Sequence, residues 1–157
     1  MAPSAEVEQY LQAHDIPYLM RHHAPAMTAR QLAELEDIDP HEVAKVVILR
    51  DQKQYYMMVL PADYKLDLKQ TRDMIQSRNA WIASEQDLQQ LFPKCELGAM
   101  PPLGELYNMQ VYAENDLSED QEIEFNAGSH EDAIRMRFTD WQKMVHPTMK
   151  HFAFKAH

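Results

Sequence analysis

At 157 residues, with 45% hydrophobic and 9% aromatic side chains, the chain has the apolar content of one folded domain rather than of a disordered segment. Its formal charge of −10, from 25 acidic residues against 15 Lys plus Arg, excludes a protein that coats nucleic acid by broad counterion release. It leaves room for one that touches RNA at a small local site. No apolar run approaches the roughly 20 residues of a membrane span, and the start MAPSAEVEQYL lacks a basic stretch followed by an apolar one. A cytoplasmic protein without a membrane partner is expected, and the single cysteine, Cys95, agrees with a reducing compartment.

EVEQYLQAHDI places Val7, Tyr10, Leu11 and Ile16 near helical spacing, with Ser4 as the N-cap. PYLMRHH reads as a short extended piece. Thr28 caps a second helix over ARQLAELEDI, whose Leu32, Leu35 and Ile38 share a face, and Asp39-Pro40 starts a turn. AKVVILRD and QYYMMVLPAD are apolar through their middles, as strands covered on both faces are. The short polar link between them predicts a hairpin. Helices follow at DLKQTRDMIQS, with Asp67 near its start, and at SEQDLQQLF, where Ser84 and Asp87 make a capping pattern. Beyond LGAMPPLG come the strand candidates MQVYAE, EIEFNAG and AIRMRF, then a last helix, TDWQKMV, which begins at Thr139 and is closed by Pro147. The tail from Met149 to His157 is either frayed or a short final strand. Hairpins mixed with helices argue against strict βαβ alternation and predict an α+β fold. The expected arrangement is a single domain over 1–157, core about 7–147, with a central mixed, mostly antiparallel sheet surrounded by helices.

Four short segments could carry chemistry. Lys45 stands at the start of an apolar strand, between Ala44 and Val46, where alternation asks for no charge. It either snorkels its ammonium to water or projects into a cleft to hold an anionic or carbonyl oxygen. Asn126 and Gly128 mark a turn with Ser129 and His130 on its far side. That turn either faces solvent or presents a hydroxyl and an imidazole to a pocket. LGAMPPLG holds two of the three glycines, Gly98 and Gly104, around Pro101-Pro102. It is either a rigid connector or a place where Gly98 lets a ligand approach main-chain N–H groups. HAPAMT sets His23 and Thr28 around an extended Ala-Pro-Ala piece, with Thr28 capping the helix that follows. Met57, Met58 and Met136 read as core or pocket lining.

The histidines, at 14, 22, 23, 41, 130, 146, 151 and 157, make no HExxH or Cys/His ribbon spacing, so no metal is expected. No Gly-Lys-Ser/Thr follows the glycines, no GxSxG elbow occurs and Cys95 lacks a neighbouring base, so no covalent nucleophile is evident.

Taken in order, HAPAMT, VAKVVILRD, VLPADYKLDLKQ, ELGAMPPLG and FNAGSHEDAIRM resemble the YbaK/EbsC family, from about Val7 to about Pro147. These are free-standing relatives of the editing domain inserted in bacterial prolyl-tRNA synthetase. The resemblance implies an α+β fold and hydrolysis, in trans and without metal or cofactor, of small amino acids wrongly esterified to tRNA, often tRNA-Pro. The family's essential lysine falls on Lys45, its Gly/Pro segment on Gly98 to Gly104, and its glycine turn on Gly128, Ser129 and His130. Lys45, Gly98 and His130 are thus the expected catalytic residues, and His23, Thr28, Met100, Pro102, Gly104, Asn126, Gly128 and Ser129 the expected substrate-binding ones. N–H groups around Gly98–Ala99 would steady the oxyanion, and Met100, Pro101 and Pro102 would form a wall that sorts by size. Val46 follows Lys45 where several relatives carry Thr and alanine-clearing members often carry Asn, so the target amino acid stays open. Mischarged tRNA is the expected partner, touched locally by Lys45, Arg50, Lys53, Lys65, Lys69 and Arg72, with a synthetase as a further candidate. The rival reading is a non-catalytic sensor that binds aminoacyl-tRNA or a small metabolite.

Overall fold

The computed structural model of the chain describes residues 3–156. Met1, Ala2 and His157, which the single-domain reading includes, lie outside the described residues. In chain order the first half contains α1 (Pro3–Ala13), β1 (Leu19–His22), α2 (Ala29–Glu36), β2 (Ala44–Asp51), β3 (Gln54–Pro61) and β4 (Tyr64–Leu66). The second half contains α3 (Leu68–Ile75), β5 (Trp81–Ile82), α4 (Glu85–Leu91), β6 (Gln110–Glu114), β7 (Glu122–Asn126), β8 (Asp132–Arg137), α5 (Phe138–Val145), β9 (Thr148–Lys150) and β10 (Ala153–Lys155).

The hairpin between the two apolar runs is the spine. β2 and β3 pair antiparallel from Ala44–Pro61 to Asp51–Gln54, and Gln52 turns the chain in the left-handed region. β3 then pairs in parallel with β6, and β6 with β9, while the two-residue β5 adds to the free side of β2. The central sheet is therefore mixed, in the order β5-β2-β3-β6-β9. Its middle strand is covered on both faces: Met57 and Val59 enter the main core, while Met58 packs with Leu49, Tyr56 and Phe152 on the other side. That double burial explains why QYYMMVLP shows no alternation. A second sheet, β1-β8-β7, is wholly antiparallel, and β10 pairs with β4. The two larger sheets meet at one parallel bridge, Val43 to Glu124. Between them Val7 and Leu11 of α1, Phe125 of β7 and Trp141 of α5 are fully buried, the aromatic pair worth roughly 2–3 kcal/mol each against leaving them in water.

Most local signals act as expected. Thr28 accepts from Gln31 N–H, Asp67 from Gln70 N–H, and Ser84 with Asp87 forms a reciprocal capping box. Three details differ. Ser4 lies inside α1 and is buried rather than capping it. α5 begins one residue early, at Phe138, because β8 runs directly into it without a side-chain cap. The tail is ordered as two short strands, since pairing with β6 and β4 supplies partners that no local pattern announces. Among the described residues no helix is long and apolar enough to cross a membrane.

Candidate active site

Three connecting segments, far apart in sequence, are laced together by main-chain hydrogen bonds. Ala127 N–H donates to Asp132 O across the β7–β8 turn. From the 96–99 segment, Glu96 N–H donates to Gly128 O at 2.8 Å, and Ala99 O accepts from Gly128 N–H at 2.9 Å. On the other side of the same turn, His23 N–H reaches Glu131 O at 2.9 Å and Ala26 N–H reaches His130 O at 3.0 Å. The segments HAPAMT, LGAMPPLG and NAGSH thus share one place. Gly98 takes φ +86°, which L residues rarely adopt, and a Cβ built on it would lie 3.6 Å from His130 Cε1 and 3.9 Å from Met27 O. Gly128, at φ +93°, presses against α1, where an added Cβ would sit 2.7 Å from Pro3 Cβ.

His130 is buried, and its Nδ1 lies 3.2 Å from Ala26 O. A carbonyl can only accept, so Nδ1 carries a proton, and the ring atom that faces Gly98 is Cε1, which lies between the two nitrogens. Ser129 turns inward instead: its Oγ donates to Asp132 Oδ2 at 2.7 Å and accepts from Glu131 N–H at 3.3 Å, which shapes the turn. Asn126 is buried at the end of β7, and its Oδ1 has no hydrogen-bond partner.

Lys45 comes from the other sheet. Its Nζ donates to Ala62 O at 3.3 Å, and it is half-buried. Burial lowers its pKa below the lysine value, the Arg30 and Lys65 charges lower it further, and the buried Asp63 opposes them. The Val43–Glu124 bridge sets β2 beside β7. Two residues on, Lys45 and Asn126 leave that bridge on the same strand faces as its two members, because side chains alternate with period two. Lys45 and His130 thus belong to separate sheets, and no hydrogen bond joins them among the described residues.

Other expected site residues are engaged in packing or local hydrogen bonds. Ala99 N–H already donates to Glu96 O at 3.0 Å, so of the Gly98–Ala99 pair only Gly98 is left to offer an N–H. Met100 and Pro102 are buried, Met100 in the main core, and Pro102 O accepts from Trp141 Nε1 at 2.9 Å. Gly104 is also a packing residue, since a Cβ there would meet Met109 O and Val111 Cγ2 at 2.4 Å. Thr28 is the cap of α2, while His23 gives Nδ1–H to Ala24 O and leaves Nε2 buried and unpartnered. Of the expected RNA contacts, Arg50 is held by Asp87 at 2.6 Å, and Arg72 by Ala80 O and the Trp81 ring. Arg30 was not expected: a lone exposed cation in the first turn of a helix makes no sequence pattern. Away from Lys45, Glu114, Asp116 and His151 bring three potential ligand atoms together. Both Glu114 oxygens are already engaged, Oε1 by the N–H groups of Phe152 and Ala153 and Oε2 by Asp116 N–H and His151 Nδ1, so this cluster ties the tail to β6.

A family model described as an aminoacyl-tRNA editing domain matches residues 23–144, which contain Lys45, Gly98 and His130. The chain belongs to the aminoacyl-tRNA editing domain family. It is 27% identical over 136 residues to the prolyl-tRNA editing protein ProX of Acetoanaerobium sticklandii, an alignment spanning 83% of this chain and 82% of that protein. Two solved structures share the fold. One, a candidate trans-editing enzyme for prolyl tRNA synthetase, superposes with a TM-score of 0.82 at 18% identity, covering 98% of this chain and 99% of that one. The other, a hypothetical protein, gives a TM-score of 0.86 at 16% identity, covering 94% of this chain and 99% of that one.

Proposed function

We propose that this protein is a trans-editing hydrolase that clears small, wrongly attached amino acids from tRNA, with tRNA-Pro as its substrate. The observation that carries the reading is the close approach of His130 Cε1 to Gly98, with Lys45 two residues beyond the Val43–Glu124 bridge that joins the two sheets. Family membership and the ProX relative support it.

The bond to be cut joins the aminoacyl carbonyl carbon to a ribose oxygen of the terminal adenosine. Water attacks that carbon, and the negative charge formed on the carbonyl oxygen is met by Gly98 N–H. Losing one such donor typically costs about 3 kcal/mol of barrier. His130 Nε2 orients the water by accepting one of its protons in a hydrogen bond. The proton released goes to the substrate's own amine or vicinal hydroxyl. The ribose oxygen leaves with a proton, giving a free amino acid and an uncharged tRNA 3′ end. Lys45 holds the terminal adenosine's phosphate or the carbonyl oxygen as a point charge. No step in this route calls for a metal or a cofactor.

The test is incubation with tRNA-Pro charged in turn with Ala, Cys, Ser, Thr or Pro. Selective loss of a small non-prolyl ester is expected, with Lys45→Ala lowering kcat/KM by about 100-fold or more. Full activity of Lys45→Ala on every ester the protein cleaves would overturn the mechanism. Protection of an ester without hydrolysis would mark a sensor instead.

A further inference from the structure

The tail strand β10 is built onto the segment that holds Lys45. Ala62 O receives the Lys45 ammonium, and the next residue, Asp63, accepts from Ala156 N–H at 2.8 Å. Two residues further, Lys65 of β4 lies directly opposite Phe154 of β10. Cross-strand partners share a face, so an aromatic ring and an ammonium stand side by side. Both are in solvent, Phe154 at 51% exposure. Of the acids flanking β4, Asp63 is buried and Asp67 is engaged as the cap of α3. In a chain of net charge −10, the exposed Lys65 thus offers a positive charge beside an exposed ring. An exposed ring beside a cation matches single-stranded nucleic acid, in which each base offers a face to stack and each linkage a charge to neutralise.

We propose that Phe154 and Lys65 seat an unpaired nucleotide of the RNA strand whose terminal ester enters the site, the base stacking on Phe154 and its phosphate taken by Lys65. This rests on the editing reading and adds a subsite to it. The seat lies outside the ester-cleaving group, so it governs binding of the strand rather than the chemical step.

The test is binding, which requires no hydrolysis. An RNA hairpin with a single-stranded ACCA 3′ tail and the same hairpin with a blunt end are titrated against the full chain, followed by fluorescence anisotropy. The tailed RNA binds more tightly, and Phe154→Ala weakens it by about tenfold or more, since losing a base–aromatic stack costs about 1–3 kcal/mol. Phe154→Tyr restores the affinity and Phe154→Leu does not, which separates stacking from mere apolar bulk. Lys65→Gln shallows the salt dependence of tailed-RNA binding by somewhat less than one unit of log K per log salt. Phe154→Ala binding the tailed RNA as the wild type does, or losing the blunt RNA equally, overturns the proposal. If the Phe154 dependence holds while no mischarged tRNA is deacylated, the editing reading fails and this one stands. Intact deacylation with binding indifferent to Phe154 sinks this one alone.

Discussion

His130 and Ala26 hold each other twice: the imidazole Nδ1–H donates to Ala26 O at 3.2 Å, and Ala26 N–H donates to His130 O at 3.0 Å. The ring is aimed by main chain alone, so side-chain changes around it leave its tautomer intact. The informative substitution is His130→Asn, whose amide N–H can keep the bond to Ala26 O while the Nε2 lone pair disappears. The folded protein survives, and kcat falls by about 100-fold with KM little changed, as loss of a water-orienting group predicts. A steady-state comparison of kcat and KM on a mischarged tRNA checks this.

Gly98→Ala and Gly104→Ala separate two meanings of glycine. At Gly98 the added methyl meets ordinary contacts at 3.6 Å, so the cost is the φ of +86°, about 1 kcal/mol. At Gly104 it runs into Met109 O and Val111 Cγ2 at 2.4 Å, and overpacking costs about 3 kcal/mol. Thermal melts therefore rank Gly104→Ala well below Gly98→Ala in Tm. Deacylation per folded molecule is lost in Gly98→Ala, because the methyl stands where the ester must approach.

In the proposed mechanism Lys45 works as an ammonium, and burial moves its pKa below the ordinary 10.5. Activity corrected for spontaneous ester hydrolysis therefore falls, as pH rises, at a lower pH than an exposed lysine would set. In Lys45→Arg the residual activity shows no such fall, since guanidinium stays charged. A pH profile of kcat/KM reads the free-enzyme value.

The buried Glu124 makes folding itself pH-dependent. Its pKa is pushed from 4.5 up to about 7, first by burial and then by Glu36, with Arg21 at 3.3 Å and Arg135 at 3.7 Å pulling the other way. The native state then holds a proton that the unfolded chain releases near 4.5, so stability is full below that value and declines as pH rises through about 7. Glu124→Gln removes the decline. At pH 8 the variant is more stable, by up to about 3 kcal/mol, and the advantage is gone at pH 4. Urea melts at the two pH values measure it.

Much of this architecture could be read in advance, and the failures share a cause. The β2–β3 hairpin, the caps at Thr28, Asp67 and Ser84, and the misfit of a charge at Lys45 are local, and local chemistry decides them. That Gly98, Gly128 and His130 meet is visible only through family resemblance, because the bonds joining Glu96 to Gly128 and Ala26 to His130 run between coils without periodicity. Met100 and Pro102 read as a pocket wall that sorts by size, and nothing local in a Gly/Pro segment says how deeply it is buried. In the fold, Trp141 Nε1 donates to Pro102 O, and Met100 and Pro102 are buried. Arg30 and Phe154 carried no signal, as their importance comes only from the elements packed beside them.

The Val43–Glu124 bridge has a mechanical implication. Lys45 rides on one sheet and His130 on a turn of the other, so no single sheet owns the reaction. In the proposed mechanism, catalysis is a property of the join. A disturbance that lets the sheets slip by a fraction of a residue spares every strand yet pulls the ammonium and the imidazole out of step. Such a protein goes silent before it melts: under mild denaturant, deacylation fades while far-ultraviolet dichroism still reports an intact fold.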